Sequence, residues 1–449
     1  MEPAECDIAI IGGGPAGAAA ALALRRHAPG RSVALFEASH HEGRRIGETL
    51  HPAAQPLMVR LGVWERFLRD EHLEAAGTLS AWGQEALGGD DYVTSLWGRG
   101  FHLDRRRFDA MLVEEAAAGG ATVQTGVQLT AAVRAPGGFR LTLRDEAGRT
   151  RELRASFVID ASGRRARFAS LLGVRRILFD QQVGSAVFFE HDDALDTRLL
   201  VEAVELGWWY SARLPGGGSV AAFMTDGELA GRHRLGEPGP WQRALAASTH
   251  TRRRLEGARA QGEPTVFPAG SGRLERCCDD GWLAVGDAAA SFDPLSGQGM
   301  VKALHNGLMA AYAASDHLDG REEALPRFRS LIESEFEVYL ETRDDHYGRE
   351  GRWPDSPYWR RRRPLVTLAP TQRLAADAAG PATIDRLTMH LSPQELYQLW
   401  SRCSAPTPAA EVVTGFRQAF PTVPARRVVL ALQYLLEQRV LCAVAPGVA

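Results

Sequence analysis

Apolar residues first gather at Asp7–Ile11, "DIAII", a β-branched run with little alternation, the pattern of a strand buried on both faces. The alanine-rich segment "AAAALALRRHA" follows and predicts a helix ending near Gly30, and "SVALFE" predicts a second buried strand closing on Glu37. The same grammar returns late: "WLAV" reads as a short buried strand, "GDAAASFDPLSGQG" as a loop and "GMVKALHNGLMAAYAA" as a helix. Between these regions lie "VGSAVFFEH", "RLLVEAVE", "GWWYSARLP" and "SVAAFMTD", which read as antiparallel strands. The last two form a hairpin across the "GGG" turn, and tyrosine and tryptophan suit strands. Past residue 345 the chain becomes rich in charge, proline and aromatics, with Arg360 to Arg363 consecutive. That stretch reads as a solvated linker or as a contact surface for an acidic partner. Helices follow at "PATIDRLTMHL", "SPQELYQLWSRC", "PAAEVVTGFRQAF" and "ARRVVLALQYLLEQRVL". Ser392 and Glu395 have capping-box spacing, and Val428, Leu432, Leu435 and Leu436 form an apolar stripe that must be buried.

The pattern predicts an α/β protein in three parts. A Rossmann-like domain takes residues 1–175 and 265–345, an antiparallel-sheet domain takes 176–264, and a helical domain takes 365–449. Composition narrows the function classes. A net charge of -3 gives no reason to expect nucleic acid or a membrane surface as partner. No apolar run is long enough to span a bilayer, and the N-terminus lacks a basic n-region, so a cytoplasmic protein is expected. Cys6, Cys277, Cys278, Cys403 and Cys442 are scattered without a CxxC pair, which suggests neither a disulfide framework nor a metal site. The 52 basic residues include one lysine, Lys302.

The first strand runs into Gly12-x-Gly14-Pro15-Ala16-Gly17. The first glycine permits the tight turn, the second lets backbone approach a pyrophosphate, and the third lets helix and strand pack closely. The helix N-terminus faces the phosphates, and Glu37, followed by Ala38, ends the second strand where an acid holds a ribose hydroxyl. With all parts in register this is a dinucleotide site, though the fingerprint does not separate NAD from FAD.

Four further segments, "EGRRIGETLHPAA", "HLDRRRFDAMLVEEAA", "FVIDASGRRARFA" and "GWLAVGDAAASFDPLSGQGMVKALHNGLMAA", occur in this order. Here the chain, over roughly residues 5 to 345, resembles the class A flavoprotein monooxygenases and their relatives, the flavin-dependent halogenases and geranylgeranyl reductases. The resemblance implies a Rossmann-like FAD-binding domain of the p-hydroxybenzoate hydroxylase type. It also implies that Arg45, Gly47 and Glu48 lie along FAD, that Arg105 contacts it, that Asp160 to Gly163 return the chain to the nucleotide sheet, and that Asp287 of Gly286-Asp287 holds the ribityl chain. The loop through Pro294, Gly297, Gly299 and Met300 opens a helix whose positive end would face a reduced flavin's pyrimidine edge. No second glycine fingerprint is present, so electrons are expected from transient NAD(P)H or a separate flavin reductase, with O2 as co-substrate.

In that family the sheet covers the flavin and forms the substrate cavity, for which Trp208, Trp209, Tyr210 and Phe223 are the candidates. Halogenases carry Trp-x-Trp-x-Ile-Pro in this sheet and a lysine after the Gly-Glu motif. Here the matching window is Tyr210 to Pro215, and residues 49–85 hold no lysine, which speaks against halogenation. Successive strand residues face opposite ways, so at most one of Trp208 and Trp209 can line a cavity. Reduced flavin and oxygen yield a C4a-hydroperoxide, an electrophilic oxygen donor, and the protein supplies burial, orientation and a base. His51 is the preferred base, with Glu48, Tyr210 and Asp293 as alternatives. The set "GETLHPAA", "WWYSARLP", "AFMTD" and "GDAAASFDPLSGQG" resembles the subgroup that hydroxylates a tryptophan within a polypeptide during tryptophylquinone cofactor biogenesis. A polypeptide substrate is then the expected partner, which the C-terminal helices would dock if they do not simply cover the flavin domain. A small indole or phenol is the alternative substrate.

Overall fold

The computed structural model describes residues 4–190, 196–362, 368–377, 380–385, 387 and 389–444. It forms two compact units, residues 1–174 with 181–359, and residues 175–180 with 360–449. No helix among the described residues is long and apolar enough to cross a membrane.

The run predicted at Asp7–Ile11 is strand Ala4–Ile11, and it sits inside an eight-stranded sheet. Six strands run in the order Cys278–Asp279, Trp282–Ala284, Thr150–Asp160, Ala4–Ile11, Val33–Phe36 and Thr122–Gln124, and off this path Gly138–Asp145 pairs with Thr150–Asp160 and with Val127–Ala135. Ile8, Ala9 and Ile10 are fully buried because both faces are covered, which is why the segment shows no alternation. Ile11 lies opposite Asp160, so the "GGGPAG" and "ASGRR" loops leave the sheet at the same edge, outside the strands' carboxyl ends. Helices Pro15–His27 and Gly299–Leu318 pack at backbone distance: a Cβ on Gly307 would lie 2.3 Å from the Ala16 carbonyl. Their alanine-rich faces allow that approach.

The second sheet has seven strands, in the order Arg259–Pro268, Gln182–Glu190, Gly218–Asp226, Gly207–Arg213, Leu199–Val204, Gly77–Ala81 and Gly88–Asp91. The predicted hairpin is present, with Trp208 opposite Met224, Trp209 opposite Phe223 and Tyr210 opposite Ala222. The sheet nevertheless exceeds its expected bounds of 176–264. Two strands come from residues 77–91, and Leu199–Val204 pairs with Gly77–Ala81 in parallel. These edge segments are glycine-rich and polar, so they carry little of the apolar pattern that announces a strand.

The stretch expected to be a linker or a contact surface is mostly exposed, Arg360 and Arg361 included, but it is anchored by a few interior side chains. Helix Ala324–Arg349 runs into it, and Tyr347, Glu350, Tyr358 and Trp359 are all buried. The aromatics pack with Trp208 beneath the sheet, and Trp359 Nε1 donates to the Val204 carbonyl at 2.9 Å. Arg363 and Leu365 lie outside the described residues.

The second unit contains helices Pro393–Ser401, Ala409–Ala419 and Ala425–Glu437. The Ser392–Glu395 capping box is formed, and Val428, Leu432 and Leu435 are fully buried in this unit's own core. The helix expected over 381–391 covers Gly380–Ile384; Arg386 and Thr388 lie outside the described residues. A three-stranded antiparallel sheet of Thr407–Pro408, Arg373–Ala376 and Leu441–Val444 joins the helices, an addition that strands this short do not advertise.

Candidate functional site

A cavity of about 1420 Å³ runs from the carboxyl edge of the first sheet to the inner face of the second. Single ligand pockets usually occupy about 300–1,000 Å³, so there is room for more than one molecule. Gly12, Gly14, Pro15, Ala16, Glu37 and Ala38 line one end. Gly12 has φ +114°, and a Cβ there would lie 2.3 Å from the Ala161 carbonyl, so no other residue fits the turn. Gly14 is different: a Cβ would meet nothing within 4 Å and would project into the cavity. Gly17 is not in the wall; it lets the helix close onto Gly12. The glycines thus shape a cradle for a pyrophosphate. Glu37 accepts from Gly13 N–H at 2.7 Å and from Ser39 N–H at 3.0 Å. Burial pushes its carboxyl up, but these bonds and Arg45 outweigh burial and hold it below the usual range.

Arg45, Gly47, Arg105 and Gly163 line the middle. Arg105 donates to the Ile46 and Gly47 carbonyls at 3.1 Å and to Asp109, so it holds the segment that follows the fingerprint. Arg45 shares Asp109 at 2.9 Å. Asp160 is fully buried out of the wall and accepts from Ser162 and from Ala169 N–H, which fixes the loop after the strand. Asp287, Pro294, Gly297, Gly299 and Met300 line the cavity where the Gly299–Leu318 helix begins; Gly286 lies just behind them. Asp287 Oδ1 takes the Lys302 Nζ at 2.8 Å, and its Oδ2 is 3.5 Å from Arg164 Nε. Lys302 stands out in the sequence as the one lysine, but its pairing with Asp287, alongside Arg164, does not, because a strand-to-helix turn and a second loop bring them together.

At the far end are Thr49, Phe188, Leu199, Tyr210 and Met224. The Tyr210 hydroxyl donates to Glu48 Oε1 and lies 2.9 Å from Thr49 Oγ1. Glu48 Oε2 accepts from Gly47 N–H at 2.9 Å. Glu48 is buried behind the wall, and burial raises its carboxyl above the usual range against these hydrogen bonds. Burial and then the Glu48 charge push the Tyr210 phenol well above 10. Beyond Thr49, His102 Nδ1 lies 3.4 Å from the threonine oxygen, and its Nε2 must donate to the Thr197 carbonyl at 2.7 Å. Burial lowers His102 to about 4, so it is neutral. Thr49 and His102 come from strands of two and three residues, too short to be noticed in the sequence.

Several sequence candidates fall elsewhere. His51 is exposed, its Nδ1 accepts from Ala53 N–H at 3.2 Å, and it does not line the cavity. Trp208 is fully buried and donates to the Tyr347 hydroxyl at 3.0 Å. Trp209 stacks on Phe223 at 4.8 Å on the opposite face, where Phe223 borders a separate cavity of about 850 Å³. Of these four aromatics, Tyr210 reaches the large cavity. Asp293 borders it too, but its oxygens take Leu295 N–H at 2.9 Å and the Tyr347 hydroxyl at 2.7 Å, which anchors the loop.

A glycine cradle, an acid at the end of the second strand and a helix opening onto the same cavity define a flavoprotein oxidoreductase fold. Residues 5–324 match the FAD binding domain family, and the chain belongs to it. The protein LodB of Marinomonas mediterranea is 28% identical over 366 residues, covering 81% of this chain and 98% of that one. The solved structure of CndH, a myxobacterial chondrochloren halogenase, superposes with a TM-score of 0.75 at 23% identity, covering 81% of this chain and 87% of that one. That of QhpG, a peptidyl tryptophan dihydroxylase essential for tryptophylquinone cofactor biogenesis, gives 0.66 at 22% identity over 97% of this chain and 99% of that one.

Proposed function

We propose that the protein is an FAD-dependent monooxygenase that hydroxylates an electron-rich aromatic ring, a tryptophan side chain of a polypeptide during tryptophylquinone maturation. The observation that carries this reading is the cavity's continuation beyond the dinucleotide cradle to a wall formed by Tyr210 with Glu48 behind it. FAD, once reduced by NAD(P)H or a flavin reductase, supplies activation of O2 for oxygen transfer. Gly12, Gly14 and Glu37 would hold its diphosphate and ribose, and Asp287 its ribityl hydroxyls. Phe188, Leu199 and Met224 give the substrate end an apolar wall, and the Tyr210 hydroxyl, which donates its proton to Glu48 Oε1, orients the ring's polar edge. The one lysine is committed to Asp287, so no ammonium is free to direct a halogenating species. Likeness to QhpG over nearly the whole chain, second unit included, supports a polypeptide substrate.

Mass spectrometry of products tests the reading. FAD-loaded enzyme is supplied with reductant, oxygen and excess chloride, and offered free tryptophan, a phenol and a co-expressed tryptophan-containing polypeptide. One or two oxygen atoms gained by the polypeptide alone is the expected result. Chlorine in any product, or oxygen on the small molecules instead, would overturn it.

A further inference from the structure

In a chain whose other basic side chains are arginine, the single lysine sits one turn into the Gly299–Leu318 helix, its side chain 5% exposed. A buried ammonium is costly unless paired, and an aliphatic side chain would fill the space more cheaply. Lys302 Nζ donates to Asp287 Oδ1 and to the Ala290 carbonyl, and lies 4.2 Å from the Phe292 ring centroid. A compact ammonium with three donors can meet the carboxylate, the carbonyl and the ring face from one point. Arg164 approaches the second Asp287 oxygen, and Asp287, Arg164 and Phe292 all border the cavity. The carboxylate thus has two cations beside it and the cofactor cavity in front.

We propose that Lys302 is a cofactor-positioning residue: it fixes the Asp287 carboxylate toward the cavity and cancels its charge, so that a ligand carrying a diphosphate can lie against it. Without the lysine, Asp287 keeps Arg164, at 3.5 Å, as a counter-charge, but its charge is less fully offset and its carboxylate is less firmly held. The role is independent of which ring the enzyme oxidises.

The test is FAD affinity, titrated into apoprotein by flavin fluorescence with neither substrate nor oxygen present. Four proteins are compared: wild type, Lys302→Met, Asp287→Asn and the double variant. Lys302→Met is expected to weaken FAD binding about tenfold or more, while the double variant recovers to the level of Asp287→Asn. Restored binding on removing the second partner is an electrostatic signature that simple loss of packing does not produce. Wild-type affinity in Lys302→Met, or a double variant weaker than Lys302→Met, would overturn the proposal. Circular dichroism of each apoprotein verifies the fold. If Lys302→Met does not fold, Lys302→Gln, which keeps a donor for Ala290, is read with Asp287→Asn in the same way.

Discussion

The Tyr210 hydroxyl has a closely defined environment, with a carboxylate behind it and a threonine at its side. Tyr210→Phe keeps the ring and removes the group that faces substrate, so we expect product formation to fall about tenfold to a hundredfold. FAD affinity should stay within about twofold, because phenol removal leaves the glycine cradle intact. Single-turnover product yield set beside a flavin titration distinguishes these effects; equal losses in both would mean the tyrosine supports the cofactor instead. What could be read at this scale depended on sequence distance. The glycine fingerprint and Glu37 lie within one strand–helix–strand unit and were legible. Glu48 and Tyr210 are 162 positions apart, and no local pattern joins them.

At the scale of the element, alternation along a strand was legible and its outcome was not. It put Trp208 and Trp209 on opposite faces, as observed, but faces do not say where a cavity ends. Trp208 shares a face with Tyr210, yet Tyr347 and Trp82 cover it. Trp208→Phe should therefore act on stability, costing about 1–3 kcal/mol through the hydroxyl of Tyr347 left without its indole donor. Urea unfolding would show the loss, and KM for substrate should not move. In the second unit the capping box was visible from spacing alone. Ser392→Ala removes a donor-satisfying cap and should cost about 1 kcal/mol in unfolding of that unit, with FAD binding unchanged.

For the whole molecule, two buried histidines contribute to the response to acid. His72 and His102 are both lowered to about 4 by burial, against an ordinary value of 6.5. The fold favours their neutral forms, so the stability they contribute is complete above pH 6.5 and is lost as pH falls toward 4. Each contributes up to about 3 kcal/mol to that loss. Unfolding free energies at pH 7 and pH 4.5 should differ less in His72→Gln by about that amount; an unchanged difference would show that this histidine does not titrate with unfolding. Architecture at this scale was largely legible, since buried strands declare themselves by composition. The polar edge strands and the interior fate of Tyr358 and Trp359 were not, because polar strands lack the pattern and arginines surround the aromatics.

The second sheet is assembled from distant parts of the chain. Gly77–Ala81 and Gly88–Asp91 must wait for Leu199–Val204, roughly 120 residues later, before their inner edge is paired. At about 5–20 residues per second, the ribosome leaves that edge open for several seconds at least. A hydrophobic hairpin held so long would invite association with neighbouring chains. Glycines and the adjacent acids Asp90 and Asp91 make this one a poor template, so the weak patterning that hid the strands from sequence reading also protects the chain while it is being made.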